Sequence, residues 1–497
     1  MKKLVSKIKT LPTWAKSILW FAAGAMTSYG FAPYYLWPLT VISIGLAYYF
    51  LVANYKPQKH HPSSLFLHPF LWAAGYGLFK NGWTLTSVWS TDAYAAHFWW
   101  FIPIGALIFI VFYGLFMGPI FWLTNSTKST GARRVLYFAI AWTLSLWLFE
   151  MAPFGGWPWN PIANLWINTW VANLMAYIGA IGLTFLTIGM IATLAEFINQ
   201  TITKRKLSIV NCQLSILFFL PLLFVPFIHR PNDLTDFRVR IVQPAFSMND
   251  KIHDPMVAEE IAMELIRMSR QRGMHDVNLV IWPETAWPYV LRPGDRLPGI
   301  GRPLAAGANY ETFGREYNIL AYANEIGRIV DMHIKFKLTP FGEYRPFGRL
   351  VPTPGGLSRG SGPSHITNFI PTICHEIITT DTIVPQGAKP ELIVNIANFS
   401  WFGNTSGQRA YIDMVRRQAI ETGLPVAHAS YGGISAIIDT NGRVIRSTQF
   451  GERTILDGNI PVARDGITVY RRLGPTGIML IILLFSTTVL LGIKRRL

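Results

Sequence analysis

Cysteine is nearly absent from this chain: there are two in 497 residues, Cys212 and Cys374. They lie in segments of opposite character, one apolar and one polar, so no disulfide is expected between them. That excludes a small fold stapled by disulfides. Acidic residues are scarce as well, 27 against 44 lysines and arginines, leaving a net charge of +17. No solenoid-type repeat and no low-complexity tract is found, which removes array and disordered architectures. The His60-His61 pair has no further ligand-type residue nearby to complete a metal site.

Apolar residues make up 51% of the chain, and the mean hydropathy is +0.29. They are gathered in long runs, with a polar block near 232–472. Runs of about 20 uncharged residues match the ~30 Å hydrocarbon core of a bilayer. Eight spans are expected, near 14–31, 34–54, 66–88, 98–123, 135–153, 170–197, 208–228 and 473–493. The first follows lysines, as a signal peptide would. It lacks a small-residue cleavage site and more spans follow, so it is read as a retained helix.

The basic excess is unevenly spread. Lys2, Lys3, Lys7, Lys9 and Lys16 precede the first span, and Lys56 and Lys59 follow the second. Lys128, Arg133 and Arg134 follow the fourth, Lys204, Arg205 and Lys206 the sixth, and Lys494, Arg495 and Arg496 end the chain. The alternate loops, near 31–34, 89–97 and 154–169, contain neither lysine nor arginine. By the positive-inside rule, both termini are cytoplasmic and the polar block lies outside, in the periplasm of a Gram-negative cell. The charge is therefore a topology signal, and nucleic-acid binding is excluded.

Within the block, strands are expected at 237–243, 277–282, 303–308, 318–323, 366–373, 391–397, 425–429, 433–439 and 453–457, with helices at 256–271 and 407–422. Interleaved strands and helices argue a layered α/β domain. Two segments rich in proline and glycine, near 288–303 and 345–364, read as binding loops or lids, or as ordinary connections.

A thiol, a carboxylate and one of two lysines carry candidate chemistry. A lone thiol in an oxidising compartment suggests function, against the alternative of an inert core cysteine. Cys374 closes the apolar run 366–373, and a nucleophile at a strand-to-helix turn leaves its backbone N–H free as an oxyanion donor. Glu284 ends a strand between Trp282 and Trp287, surroundings that favour a general base, although glutamates at strand ends are common. Lys335 and Lys337 are both placed to stabilise a thiolate or oxyanion, and the residues themselves do not choose between them. His375 directly follows the cysteine. Neighbouring side chains on a strand point to opposite faces, so it is a poor base for the thiol.

Trp282-Pro-Glu284, Lys335-x-x-Leu338-x-Pro340-Phe-Gly-Glu343 and Ile373-Cys374-x-Glu376, in that order, resemble the Glu-Lys-Cys signature of the nitrilase (carbon–nitrogen hydrolase) superfamily. The spacings, 51 residues from 284 to 335 and 39 from 335 to 374, are similar to those of that family. Gly30-Phe-Ala-Pro33, Leu36-Trp-Pro-Leu39, Gly156-Trp-Pro-Trp159, Gly182-Leu-Thr-Phe-Leu186, Ile241-Val-Gln243 and Tyr317-Asn318 narrow the resemblance to the apolipoprotein N-acyltransferase family. Trp401-Phe-Gly403, Arg417 to Gly423 and Gly433-Ile-Ser-Ala436 extend it toward the final span.

The resemblance implies a polytopic helical membrane domain, 1–229, and an extracytoplasmic nitrilase-like αββα sandwich, 230–470. A last span with a basic tail, 471–497, would follow. It implies Glu284 as base, Lys335 as oxyanion partner and Cys374 as nucleophile, with Glu343 and Glu376 supporting them by orienting the lysine and positioning the amine. The implied reaction moves an acyl chain from a membrane phospholipid, through a Cys374 thioester, to the α-amine of a diacylated apolipoprotein. It would take place at the inner membrane, in a monomer, without cofactor or metal. The alternatives are a membrane-tethered amidase using water, and a transporter or binding protein with an inert nitrilase-like domain. Two residues depart from the family pattern: His375, where tyrosine is usual, and Phe399, where aspartate follows the asparagine. Lys80 and Glu150 are the conspicuous charges within the membrane runs.

Overall fold

The computed structural model describes residues 10–54, 62–152, 156–159, 161–203, 216, 218–223, 233–253, 255–340, 342–345, 348, 356–379 and 383–495. Most of the 208–228 run, Cys212, the His60-His61 pair and much of the 345–364 loop lie outside them.

Among the described residues, four helices are long and apolar enough to cross a bilayer: Phe101–Ser126, Gly131–Met151, the stretch Trp170–Thr203, and Val469–Gly492. Thr13–Thr27 and the stretch Trp37–Ala53 are shorter apolar helices. The run expected at 66–88 is divided. Its first part lies in the helix Pro62–Asn81, and its last part is a 3-10 segment, Gly82–Trp89, that reaches the polar domain through Thr86 Oγ1, 3.0 Å from the Phe402 carbonyl. The helix Met175–Thr203 breaks at Gly179, whose φ of 61° glycine adopts without strain. The Ala180 N–H released there donates to Glu421 of the polar domain at 2.7 Å, a carboxylate at a helix N-terminus.

The polar block folds as two stacked sheets. The first has the order β11-β1-β2-β3-β4-β5, from β1 (Leu234–Gln243), β2 (Leu279–Trp282), β3 (Leu304–Thr312), β4 (Arg315–Ala323), β5 (Ile329–Ile334) and β11 (Thr454–Pro461). The second has the order β10-β9-β8-β7-β6, from β6 (Phe369–Ile373), β7 (Leu392–Ala397), β8 (Val426–Ser430), β9 (Ala436–Ile438) and β10 (Val444–Ser447). β1, β2 and β3 run parallel, as do β6, β7 and β8. β2, β6, β7 and β8 are buried along their whole length, as parallel strands covered on both faces require.

Between the sheets, Val239, Ile241, Ile281 and Leu320 pack against Ile373, Ile396, Ala429 and Ile437. The helix Pro255–Ser269 covers the outer face of the first sheet. The helix Ser406–Thr422, capped by Thr405 and ended by left-handed Gly423, covers the second. The result is an α-β-β-α sandwich. β5 and β10 were not foreseen; β10 is exposed throughout and β5 only partly buried, so neither carries a clean apolar pattern.

The helix Ser406–Thr422 also faces the membrane helices. Arg416 donates to the Ile167 carbonyl at 2.9 Å and to Asn168 Oδ1 at 2.8 Å, and Asp413 accepts from Tyr35 at 3.3 Å. Trp83 and Trp159 from the membrane half share one core with Phe399, Tyr411 and Ile370. The two halves therefore meet over an apolar, hydrogen-bonded junction.

Candidate active site

Glu284, Lys335 and Cys374 each follow the last residue of a strand or lie two beyond it, and the sandwich gathers those strand ends at one place. β2 ends at Trp282, and Glu284 turns back toward β3, where Gly307 faces it. A Cβ on Gly307 would lie 2.2 Å from the Pro283 carbonyl oxygen and 2.6 Å from the Glu284 Cα, so only glycine fits. The Glu284 carboxylate is 6% exposed and fully engaged. Its Oε1 accepts from Asn318 Nδ2 at 2.8 Å and Lys335 Nζ at 3.0 Å, and its Oε2 from the Asn398 N–H at 2.7 Å.

β5 ends at Ile334 and delivers the next side chain, Lys335, into the cleft at 1% exposure. Its Nζ bridges Glu284 and Glu343, the latter at 2.7 Å. Burial disfavours the ammonium, but Glu284 and Glu343 overrule it and hold the pKa well above that of an ordinary lysine. Glu343 is itself held by the Thr339 N–H at 2.7 Å and by Asn318 at 3.2 Å. Burial works against its charge, yet Lys335 and these hydrogen bonds draw its pKa below the usual value. Of the two candidate lysines, Lys335 is the one whose ammonium pairs with both Glu284 and Glu343.

Cys374 follows β6 at the start of a 3-10 turn, Cys374–Ile378, with a left-handed φ of 47°. For a non-glycine residue that conformation costs about 1–2 kcal/mol. Cys374 forms no disulfide, and the residue as a whole is partly exposed while its thiol points into the site. Burial and the Glu284 charge, opposed by Lys335, push the thiol pKa well above normal, so it rests as S–H. The Tyr411 hydroxyl holds the turn, donating to the Cys374 carbonyl at 2.9 Å beside Asn395 Oδ1 at 3.1 Å.

Glu376 is completely buried and turned away from the cleft. Its oxygens accept from the Phe336 N–H at 2.6 Å, the Ile373 N–H at 2.7 Å and His333 Nε2 at 2.9 Å. It ties the lysine-bearing segment to the cysteine-bearing turn. His375 has its pKa driven to about 4 by burial and by Lys335, which leaves a neutral ring. Phe399 stacks on Tyr411 with centroids 4.5 Å apart and also meets Trp83, Trp159 and Phe402. It thus belongs to the aromatic wall between thiol and membrane helices, a site where a charge would be costly. Sequence reasoning singled out neither Tyr411 nor Asn318 for the site; both lie on elements whose apolar pattern masks their polar tips. Among the described residues, no group of three or more histidine, cysteine or acidic side chains is arranged to hold a metal.

Such an arrangement can do acyl-transfer chemistry. A thiol lies beside a carboxylate able to take its proton and a buried ammonium able to stabilise an oxyanion. Apolar helices joined to a two-sheet sandwich of this kind define a membrane-attached protein of the carbon–nitrogen hydrolase class. Residues 301–466 match the carbon–nitrogen hydrolase family, and residues 23–193 match the apolipoprotein N-acyltransferase N-terminal domain. The chain belongs to the apolipoprotein N-acyltransferase family, whose members are acyltransferases.

The similarity extends end to end. An apolipoprotein N-acyltransferase of Rhodopseudomonas palustris is 27% identical, over 99% of this chain and 98% of the relative. One from Brucella melitensis is 28% identical over 93% of each. Among solved structures, a CN-hydrolase superfamily protein of Xanthomonas campestris aligns with 46% of this chain and 91% of its own, at 17% identity and a TM-score of 0.35.

Proposed function

We propose that this chain moves a fatty acyl group from a membrane phospholipid to the α-amine of the diacylglyceryl-cysteine of an apolipoprotein, through a thioester on Cys374. The observation that carries the reading is the Glu284–Lys335–Glu343 network beside the left-handed Cys374 turn. Because the thiol rests protonated, Glu284 takes its proton as Sγ attacks the ester carbonyl carbon. The oxyanion forms against Lys335 and the backbone N–H groups after Cys374. As the intermediate collapses, the carbon–oxygen bond to glycerol breaks, and Glu284 returns the proton to the leaving lysophospholipid. The acceptor, having shed its ammonium proton to solvent, then attacks the thioester as a neutral amine. As the carbon–sulfur bond breaks, Glu284 takes one of the amine's two protons and passes it to the departing sulfur, and the other stays on the amide nitrogen. Glu343 keeps Lys335 charged and in place, and Glu376 braces the two catalytic segments.

Residues 1–229 form the membrane domain of this proposal, 230–470 the catalytic domain, and 471–497 the closing span with its basic tail. Eight spans set both termini in the cytoplasm and the catalytic domain in the periplasm, at the inner membrane, and the protein works as a monomer. The charge asymmetry of the loops supports this orientation, and Tyr34, Trp89, Trp99 and Trp170 suit a membrane interface of either side. These are exposed aromatic residues in or beside the loops that lack lysine and arginine. Both substrates are lipid-anchored, which accounts for a catalytic domain fixed to the membrane.

The test incubates purified protein with phospholipid and follows the intact mass. A fatty acyl adduct on Cys374 is expected, absent in Cys374→Ala and discharged by a diacylated lipopeptide. No adduct, or one that survives Cys374→Ala, sinks the mechanism; rapid discharge to water alone would make the protein a hydrolase.

A further inference from the structure

We infer that Lys251 is a positioning residue for Glu284: its ammonium straps the left-handed Thr285 turn that aims the carboxylate at Cys374. This rests on the thioester reading above. Thr285 directly follows Glu284 and has a φ of 49°, a conformation that β-branched residues avoid strongly. A turn of that kind persists only where its surroundings over-determine it. On one side the Trp287 N–H donates to the Gly307 carbonyl at 3.0 Å, and the Ala286 N–H closes the turn on Pro283 at 3.1 Å.

Lys251 supplies the other side. Its Nζ donates to the Thr285 carbonyl at 2.7 Å and to the Thr285 hydroxyl at 3.2 Å. It also lies 3.9 Å from the centroid of the Tyr431 ring. Tyr431 is completely buried and anchored by its own backbone, donating to Ala397 at 3.0 Å and accepting from Ala245 at 2.9 Å. A solvated lysine would reach outward; this one spends two donors on one strained residue and the face of its charge on a fixed ring. Burial draws Lys251 down to about 7, and the nearby Glu284 charge pulls the other way. Its segment, Met248–His253, is tied to the membrane half by Asn249 Nδ2, 3.2 Å from Asp92 Oδ2. The strap therefore connects the base to the junction with the membrane.

The test reads the first half-reaction alone at pH 6, where the ammonium form prevails, as the rate of Cys374 adduct formation over a range of phospholipid concentrations. Lys251→Met is expected to slow the maximal rate about tenfold or more by misplacing the base. Half-saturation should not move, and Lys251→Arg should recover most of the rate. Should the methionine variant fail to fold, Lys251→Gln is read in its place with the same expectation. In a Thr285→Gly background, where glycine holds a positive φ without help, replacing Lys251 should have little further effect. A methionine or glutamine variant within twofold of wild type overturns the inference while the wild-type adduct leaves the thioester reading standing. Full additivity of the two substitutions also overturns it. A wild-type protein that forms no adduct overturns both.

Discussion

Tyr411→Phe isolates one hydrogen bond at the nucleophile. The phenyl ring still stacks on Phe399 and fills the same space, so packing is conserved. Asn395 Oδ1 keeps its bond from His428 Nδ1 at 2.7 Å, so it is not orphaned. What is lost is the donor to the Cys374 carbonyl. An acceptor left unsatisfied in a partly buried setting costs roughly 1–3 kcal/mol. The left-handed Cys374 conformation itself costs about 1–2 kcal/mol, so the two quantities are matched. Without the hydroxyl the turn is free to relax toward an ordinary conformation, carrying Sγ away from Glu284. At 1.36 kcal/mol per tenfold, acylation should slow by roughly 5- to 150-fold. Quenched-flow mass spectrometry of the Cys374 adduct, with thermal unfolding alongside, measures both effects. A rate within twofold of wild type refutes the reasoning, as does a loss fully accounted for by a smaller folded fraction.

Further expectations concern the neighbouring groups. Glu343→Gln leaves Lys335 with one carboxylate and loses a charge-assisted bond of about 1.5–3 kcal/mol, so acylation should fall roughly 10- to 150-fold with little change in phospholipid half-saturation. An unchanged rate would remove Glu343 from the site. Gly307→Ala sets a methyl group into the Pro283–Glu284 backbone. A displacement near 1 Å should cost about a hundredfold in acylation, and an adduct formed at wild-type rate would contradict the close approach. Asp413 at the junction has its pKa raised from 3.8 to about 6, chiefly by burial and against the pull of Arg416. A raised carboxyl contributes stability that is full below 3.8 and lost as pH rises through about 6. The charged form is thus a burden of roughly 3 kcal/mol at pH 8. Asp413→Asn should raise the melting temperature at pH 8 and not at pH 4; a larger gain at pH 4 would reverse the argument.

The three principal site residues were legible because each stands in a short motif at a strand end. Strand ends can be read from local pattern, and the spacing of the motifs carried the family resemblance. Lys335 over Lys337 could not be settled by local chemistry. The reason is that alternation sends residues 335 and 337 toward the same face; what marks Lys335 is its pairing with Glu284, 51 positions earlier, and Glu343, 8 positions later. Glu376 shows the same limit. Two residues past the cysteine it looks ready to meet substrate, yet its partners are the Phe336 N–H and His333, about forty residues earlier, and the Ile373 N–H beside it. Phe399 stood out only as a departure from a motif, and its meaning came from the rings of Trp83, Trp159 and Tyr411 brought to it from three other parts of the chain.

Sequence alone determined the long apolar runs, the α/β character of the polar block, and the identity of a thiol, a carboxylate and a lysine fit for acyl transfer. The first two follow from composition and short-range periodicity, which need no reference to distant residues; the last was implied by the order and spacing of motifs that resemble the nitrilase signature. The motif spacing already pointed to Lys335; tertiary structure decided how it is held in the cleft and which glutamate faces it. It also decided that Tyr411 and Lys251 hold the two left-handed turns at Cys374 and Thr285. Those contacts join residues 34 to 37 positions apart, across elements whose own patterns record only which face is buried.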